Sequence, residues 1–170
     1  GQPPVSAEAI EAMKTTELLG RKAYRLDLTG DFAGMGGPSK KDHRMVAIYS
    51  QFPAFALSVK MTGPKDQVEA QSAGFEAFCA SLSFDQGAAA RARQPGAGAH
   101  GADGFDPDKL TWSIPEGWTH SESPNEQRQS FRRHATFRMG ESSQCYLLFL
   151  SGDGGGELAN LNRWVGQMNR

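Results

Sequence analysis

The sequence predicts an α/β sandwich of three layers, in which a mostly antiparallel central sheet carries helices on both faces. Residues 22–28 alternate between apolar and charged side chains, which is the pattern of a half-buried strand. Residues 144–150 are apolar on both faces, as expected for a strand covered from both sides. Apolar residues at helical spacing after Pro64 and after Glu157 would supply the outer layers.

The first half of the chain begins with a short predicted helix. Ser6 can cap this helix, which would run to Met13, and Gly20-Arg21 would form the turn before the first strand. Three strands are predicted, at Lys22–Leu28, His43–Tyr49 and Phe55–Met61. The segment Asp31–Asp42 is predicted to be a flexible loop.

A longer helix is predicted to follow the third strand. Pro64 suits the first turn of a helix, because its missing N–H would have no partner there. The next apolar residues are spaced by three, four and seven, so they form one stripe that can lie on the sheet. These residues are Val68, Phe75, Phe78, Cys79 and Leu82.

The middle of the chain is predicted to be a linker. Gln86–Pro107 is rich in Ala and Gly and has almost no large apolar side chains. We therefore divide the chain into residues 1–84, a linker at 85–107, and residues 108–170.

The second half is predicted to contain three strands and a helix. Leu110–Trp118 would be a short strand ending in a Pro-Glu-Gly turn, and Phe131–Met139 and Gln144–Leu150 would be longer strands. The glycines of Gly152–Gly156 would make a tight turn that needs positive φ. The final helix would carry Leu158, Leu161, Trp164, Val165 and Met168 and stop at Asn169.

Charge and cysteine content exclude several classes of protein. The 18 basic residues are balanced by 19 acidic ones, so the basic excess of a nucleic-acid-binding protein is missing. No apolar run approaches the roughly 20 residues that a membrane span requires. Cys79 and Cys145 sit among apolar neighbours, and either two buried thiols or one disulfide fits this pattern.

Motifs in both halves of the chain carry a resemblance to a known family. In the second half they are Trp112–Trp118, Phe131–Phe137, Phe149–Glu157 and Ala159–Gln167. In the first half they are Leu26–Gly30, Arg44–Ile48, Val59–Pro64, Phe75–Phe78 and Ser81–Phe84. The second half resembles the opening, and the first half the closing part, of the domain of an uncharacterised family of exported bacterial proteins, many of them lipoproteins. The domain is similar in pattern to the PsbP-like α/β/α sandwiches, whose better-known members bind other proteins.

The order of the two halves differs from that family, because here the closing half comes first. If Arg170 were followed directly by Gly1, the final helix and its stop would be followed by the connector Pro3-Pro4. Proline is common shortly after the end of a helix. We therefore expect a circular permutation with adjacent termini. The alternative is a fragment of a tandem array whose copies exchange halves.

The resemblance implies a non-catalytic protein-binding or scaffolding module of an exported protein, located in the periplasm or cell envelope. Its partner would be another protein or a second copy, and its precursor could carry a lipid anchor. A competing hypothesis is a small-ligand-binding domain or an enzyme that uses a cleft near residues 152–156.

The most notable candidate site residues lie on the final helix. Asn160, Arg163 and Gln167 share one face with Trp164 by helical spacing, and Asn162 adds another amide. These four polar residues could form a ligand or partner surface, or could bond to neighbouring loops.

No catalytic set, cofactor or metal site is expected. The four histidines are scattered, and no nucleophile motif occurs. Arg128, Arg132, Arg133 and Arg138 form a basic strand, which we interpret as a solvated face that could alternatively meet an acidic partner.

Overall fold

The computed structural model describes residues 4–33, 38–53, 55–84, 109–121 and 132–168. Within these residues the helices are α1 Ala7–Glu11, α2 Lys65–Ala70, α3 Ser72–Ser81 and α4 Glu157–Gln167. The strands are β1 Thr15–Leu18, β2 Arg21–Phe32, β3 Lys40–Gln51, β4 Phe55–Pro64, β5 Ser83–Phe84, β6 Leu110–Thr111, β7 Trp118–Ser121, β8 Arg132–Met139 and β9 Ser143–Ser151.

Seven of these strands form one sheet, in the order β1-β2-β3-β4-β9-β8-β7, and every neighbouring pair is antiparallel. The pairing of β4 with β9 joins the two halves of the chain, and its register runs from Phe55↔Ser151 to Thr62↔Gln144. The two short strands β5 and β6 form a separate ribbon.

Each face of the sheet carries its own apolar core. On β3, Val46 and Ile48 belong to a cluster with Phe75 and Phe78 of α3, while Met45 and Tyr49 belong to a cluster with α1 and α4. Alternate residues of a strand point to opposite faces, so α3 and α4 cover opposite sides, which we name the α3 face and the α4 face. The protein is therefore a mixed α+β fold with a large antiparallel sheet, compatible with the α/β sandwich that the sequence predicts.

The observed elements differ from the predicted ones in four places. The sequence missed β1, because its residues Thr-Thr-Glu-Leu include only one apolar side chain and so give little apolar pattern. The predicted loop Asp31–Asp42 is shorter, because β2 extends to Phe32 and β3 begins at Lys40. The helix after Pro64 is interrupted at Gln71. Of the strand predicted at Leu110–Trp118, only Leu110–Thr111 forms a strand before Trp118, where β7 begins.

Two further sequence expectations concern cysteines and the linker. Cys79 and Cys145 are both buried free thiols, so the disulfide alternative is wrong. Burial raises the pKa of the Cys79 thiol to about 12. The predicted linker Gln86–Pro107 lies outside the described residues. Its neighbours Phe84 and Leu110 are cross-strand partners in the β5–β6 ribbon.

Salt bridges fasten α2 and α3 to the sheet. Arg44 of β3 donates to both carboxylate oxygens of Asp27 on β2, from Nε and Nη2, each at 2.8 Å. The Arg44 guanidinium also bonds to Glu69 of α2, and Arg25 of β2 bonds to Glu76 of α3. The two arginine side chains are 16% exposed, but Glu76 and Glu69 are 54% and 68% exposed, so we expect each pair to add only modestly to stability.

Close packing of β4 against β9 explains Gly63. A Cβ atom at Gly63 would lie 2.7 Å from the Cβ and 3.0 Å from the backbone Cα of Ser143, and it would also collide with the Ser143 hydroxyl. We expect Gly63→Ala to lower the free energy of unfolding by about 1 to 3 kcal/mol, because overpacking forces the strands apart. Urea denaturation measures the difference.

A suppressor and a matched control make this prediction specific. Gly63→Ala should cost less in a Ser143→Gly background than in the wild type, because the colliding side chain is gone. Gly166→Ala in α4 meets open space and should stabilise by about 0.5 to 1 kcal/mol. Equal costs of Gly63→Ala in both backgrounds would contradict the proposed collision.

Candidate functional site

The α4 face of the sheet is apolar on one side and polar on the other. Over β2 and β3 it presents Tyr24, Leu26, Leu28, Met45, Ala47 and Tyr49, which pack with α1 and α4. Beyond them the cross-strand register continues with Ser58, Lys60 and Thr62 of β4, Gln144 and Tyr146 of β9, Arg133, Thr136 and Arg138 of β8, and Thr119 and Ser121 of β7. We name this second set the polar half.

Lys60 lies at the centre of the sheet and is only 2% exposed. Its ammonium donates a hydrogen bond to the side-chain oxygen of Gln167 at the end of α4. Its Nζ atom is 5.8 Å from the ring centroid of Phe32, 5.5 Å from that of Tyr146 and 5.9 Å from that of Trp164. These distances lie within the range of cation–π contacts, so aromatic rings provide most of the charge's immediate environment.

No carboxylate among the described residues forms an ion pair with Lys60. The charges that act on it most are instead those of Arg133 and Arg163, which repel it. Burial, followed by these two guanidinium groups, lowers the pKa of Lys60 from its usual 10.5 to about 7. The site therefore contains a buried cation whose charge is not neutralised in the described part of the chain.

Two buried hydroxyl groups of the polar half also lack partners. Neither Ser58 Oγ nor Thr136 Oγ1 has a hydrogen-bond partner among the residues that the structure describes. Thr136 is the cross-strand partner of Tyr146, which in turn pairs with Lys60, while Ser58 lies two residues before Lys60 on β4. Buried polar groups are normally satisfied, so this clustering is unusual for purely structural residues.

Arg133 completes this arrangement from β8. Its guanidinium carbon lies 4.3 Å from the ring centroid of Tyr146, on the same ring that faces Lys60. Tyr146 is largely buried, and desolvation raises the pKa of its hydroxyl to about 12, so it stays protonated at neutral pH.

A cavity of about 220 Å³ lies at the end of the sheet near the β8–β9 turn. Its floor includes Thr62, Gln144 and Arg138, which are cross-strand partners in one row. The wall includes Phe32 and His43, whose rings stack with centroids 6.1 Å apart. Phe32 contacts Lys60 as well, so the cavity and the buried ammonium share one aromatic side chain.

The four site residues predicted on α4 have different surroundings. Asn160 is buried, and its amide group donates to the backbone oxygens of Gly154 at 3.1 Å and Gly156 at 2.8 Å. Arg163 is exposed and donates to Asn160 Oδ1 at 3.1 Å. Gln167 accepts from Lys60. Helical spacing therefore brings Asn160 next to Arg163 and Gln167 next to the buried lysine.

Asn162 points to another part of the chain. Its Oδ1 accepts from the Val5 backbone N–H at 2.6 Å, and its Nδ2 donates to the Val5 carbonyl at 3.0 Å. Both amide groups of Asn160 and Asn162 thus bind backbone atoms, which is the arrangement expected of residues that hold loops in place.

The turn at Gly152–Gly156 depends on glycine for its backbone conformation. Gly152, Gly154, Gly155 and Gly156 all have positive φ, which confirms the predicted backbone requirement. The hydroxyl of Tyr49 lies 3.1 Å from the carbonyl oxygen of Asp153, and a Cβ on Gly154 would collide with Leu150.

Sequence reasoning missed Lys60, Ser58, Tyr146 and Thr136 as site residues. The available signal was the pattern of β4, in which Phe55, Leu57, Val59 and Met61 fill one face and polar residues alternate with them. Alternation indicated a half-exposed strand, and only the sheet order places these polar residues in the interior.

The described residues contain neither a metal-binding cluster of side chains nor a membrane-spanning helix. Within them, no three His, Cys, Asp or Glu side chains are grouped closely enough to hold a metal ion. No helix in this part of the chain has the length and apolar character needed to cross a bilayer.

Comparisons with known protein families, curated proteins and solved structures find no match.

We predict that Lys60→Met stabilises the protein below neutral pH and removes a pH dependence. The folded lysine has a pKa of about 7 and the unfolded one about 10.5, so the unfolded state binds more protons between these values. Stability of the wild type should therefore rise with pH across this window, by at most about 1.4 kcal/mol per pH unit. Removing the buried charge should add about 1 to 4 kcal/mol at low pH.

Urea denaturation of wild type and variant from pH 6 to pH 10 measures this difference, with exposed Lys65→Met as the control. The gain from Lys60→Met should shrink as the pH rises, whereas Lys65→Met should show no such trend. A Lys60→Met variant that is less stable than the wild type at every pH would contradict the account.

Proposed function

We propose that this chain is a non-catalytic protein-binding module of an exported bacterial protein, and that Arg133 and Arg138 of its polar half bind an acidic surface of the partner. The observation that carries the proposal is the uneven cover of the α4 face. Among the described residues, the apolar cluster around α4 takes members from β2, β3, β4 and β9 and none from β7 or β8. Arg133 and Arg138 form no ion pair in the described part of the chain.

The charges of this region support an acidic partner. Arg133, Arg138, Arg163 and Lys60 all contribute positive charge near the polar half, although the whole chain has a net charge of -1. A local excess of one sign on a near-neutral chain guides and orients a partner of opposite charge.

The surroundings of Lys60 favour binding over catalysis. Among the described groups with a shifted pKa, only Lys60 lies near neutrality, as a general acid or base would. Its side chain is 2% exposed and is surrounded by rings, so a substrate could not reach it without a rearrangement.

We also propose that the fold is a PsbP-like sandwich whose two halves occur in permuted order along the chain. Val5 bonds to Asn162, so the first described residues lie against the last helix. Phe84 pairs with Leu110, so the ends that flank the linker are also adjacent. Exchanging the order of the halves therefore requires no movement of the sheet.

The family resemblance adds a location and an alternative partner. We place the module in the periplasm or cell envelope, with a possible lipid anchor on its precursor. A second copy of the chain is the alternative partner, because identical copies could exchange halves across the β4–β9 pairing.

A rearranged chain tests the permutation. Residues 109–168 would precede residues 4–84, with a short Gly-Ser connector between Met168 and Pro4, and segment 85–108 would be omitted. We expect this chain to fold with the same far-ultraviolet circular dichroism and a cooperative urea transition, because both new ends are adjacent in the structure. A rearranged chain without a cooperative transition would contradict the proposal.

Fluorescence anisotropy with labelled oligo-glutamate tests the acidic partner, with oligo-lysine as the opposite probe. Oligo-glutamate should bind the wild type and weaken with salt. Arg133→Ala with Arg138→Ala should weaken oligo-glutamate binding about tenfold, as expected for losing one half-buried and one exposed charge contact.

The matched control is Lys14→Ala with Lys65→Ala, which removes the same charge from exposed positions elsewhere. It should leave oligo-glutamate binding close to that of the wild type. If both double variants lose the same affinity, net charge alone accounts for binding and the proposed surface is wrong.

A further inference from the structure

The cavity near the β8–β9 turn is lined by more positively than negatively charged side chains. Lys40 and Arg138 line it, and neither forms an ion pair in the described part of the chain. Glu141 is the only carboxylate among its described lining residues. Thr62 and Gln144 add a hydroxyl and an amide that can donate hydrogen bonds.

Next to the cavity is a second row of residues, in which Lys60 has no negatively charged partner within the described ranges. Lys60, Tyr146 and Thr136 are successive cross-strand partners and lie two residues from Thr62, Gln144 and Arg138 on the same strands. Side chains two residues apart share a face and are roughly 7 Å apart along a strand. The Lys60 ammonium, which bonds to Gln167 but forms no ion pair with a described carboxylate, and the Thr136 hydroxyl, which has no hydrogen-bond partner among the described residues, are therefore close to the cavity.

We propose that this cavity binds a small oxyanion, a carboxylate or a phosphate. Arg138 and Lys40 would pair with its charge, and the hydroxyl of Thr62 and the amide of Gln144 would donate to its oxygens. The volume of about 220 Å³ is below the roughly 300 to 1,000 Å³ of sites for drug-sized molecules, so the ligand is a small ion or the acidic end of a larger molecule.

Charge and donor type together select the anion. Guanidinium groups bind carboxylate and phosphate oxygens through paired hydrogen bonds, and such charge-assisted bonds are stronger than neutral ones. The ammonium of Lys60, which contacts the Phe32 ring, adds a favourable field, because charges act over longer distances in a buried environment than in water. The Glu141 carboxylate repels an anion, so removing its charge tests whether the bound ligand is negatively charged.

Chemical-shift mapping of the ¹⁵N-labelled full chain tests the proposal. Sodium phosphate, sodium succinate and sodium chloride would be added at equal ionic strength. Saturable shifts at the amides of Thr62 and Gln144 with phosphate alone would identify a phosphate site, and shifts with succinate would identify a carboxylate site. If neither anion produces saturable shifts beyond those of chloride, the proposal is wrong.

Two exposed side chains give variants of opposite sign that leave the core unchanged. Arg138→Gln should weaken the bound anion about tenfold, as expected for losing one charge-assisted hydrogen bond. Glu141→Gln should strengthen it, because a repelling charge is removed. Equal affinity of Arg138→Gln and wild type, or weaker binding by Glu141→Gln, would overturn the assignment.

Arg133→Ala separates this site from the proposed protein interface. Arg133 does not line the cavity, so its loss should reduce oligo-glutamate binding and leave anion binding close to that of the wild type. The cavity can thus be tested whether or not the larger interface exists.

Discussion

The pairing of β4 with β9 is the interaction on which the rest of the structure depends. These strands are far apart in sequence, and their register from Phe55↔Ser151 to Thr62↔Gln144 makes a single sheet from the two halves. The same register places Lys60 opposite Tyr146. It also brings Gly63 so close to Ser143 that no side chain fits at position 63. The geometry of the polar half follows from this pairing. Thr136, Arg138 and Arg133 lie on β8, which pairs with β9, and β9 in turn pairs with the strand that carries Lys60.

The α4 face combines two opposed physical demands. Its apolar side buries Leu161 and Trp164 of α4 against β2 and β3, as a stable sandwich requires. Its polar half buries an ammonium and two hydroxyl groups, which costs free energy unless partners satisfy them. Aromatic rings and the Gln167 oxygen offset part of that cost for Lys60. An anion in the nearby cavity would add a negative charge that favours the Lys60 ammonium without contacting it.

The sequence predicted elements whose signal is local and missed relations that depend on topology. Alternation in β2 and the apolar stripe of α3 were sufficient because one face of each packs on a core. The positive φ values of Gly152 and Gly154–Gly156 were predictable because glycine tolerates them without strain. The burial of Lys60 was not predictable, because a lysine in an alternating strand normally faces solvent and only the sheet order places it inside. The contact of Asn162 with Val5 depends likewise on how distant segments meet.

The most direct measurement is the pKa of Lys60 itself. NMR detection of its Nζ group during a pH titration of the full chain gives this value. The account predicts a pKa of about 7 without added anions, far below the usual 10.5, because the charge is buried beside two guanidinium groups. Saturating phosphate or succinate should raise it, since a nearby negative charge favours the ammonium. A Lys60 that titrates near 10.5 together with the exposed lysines would contradict the account, because its charge would then already be solvated or neutralised.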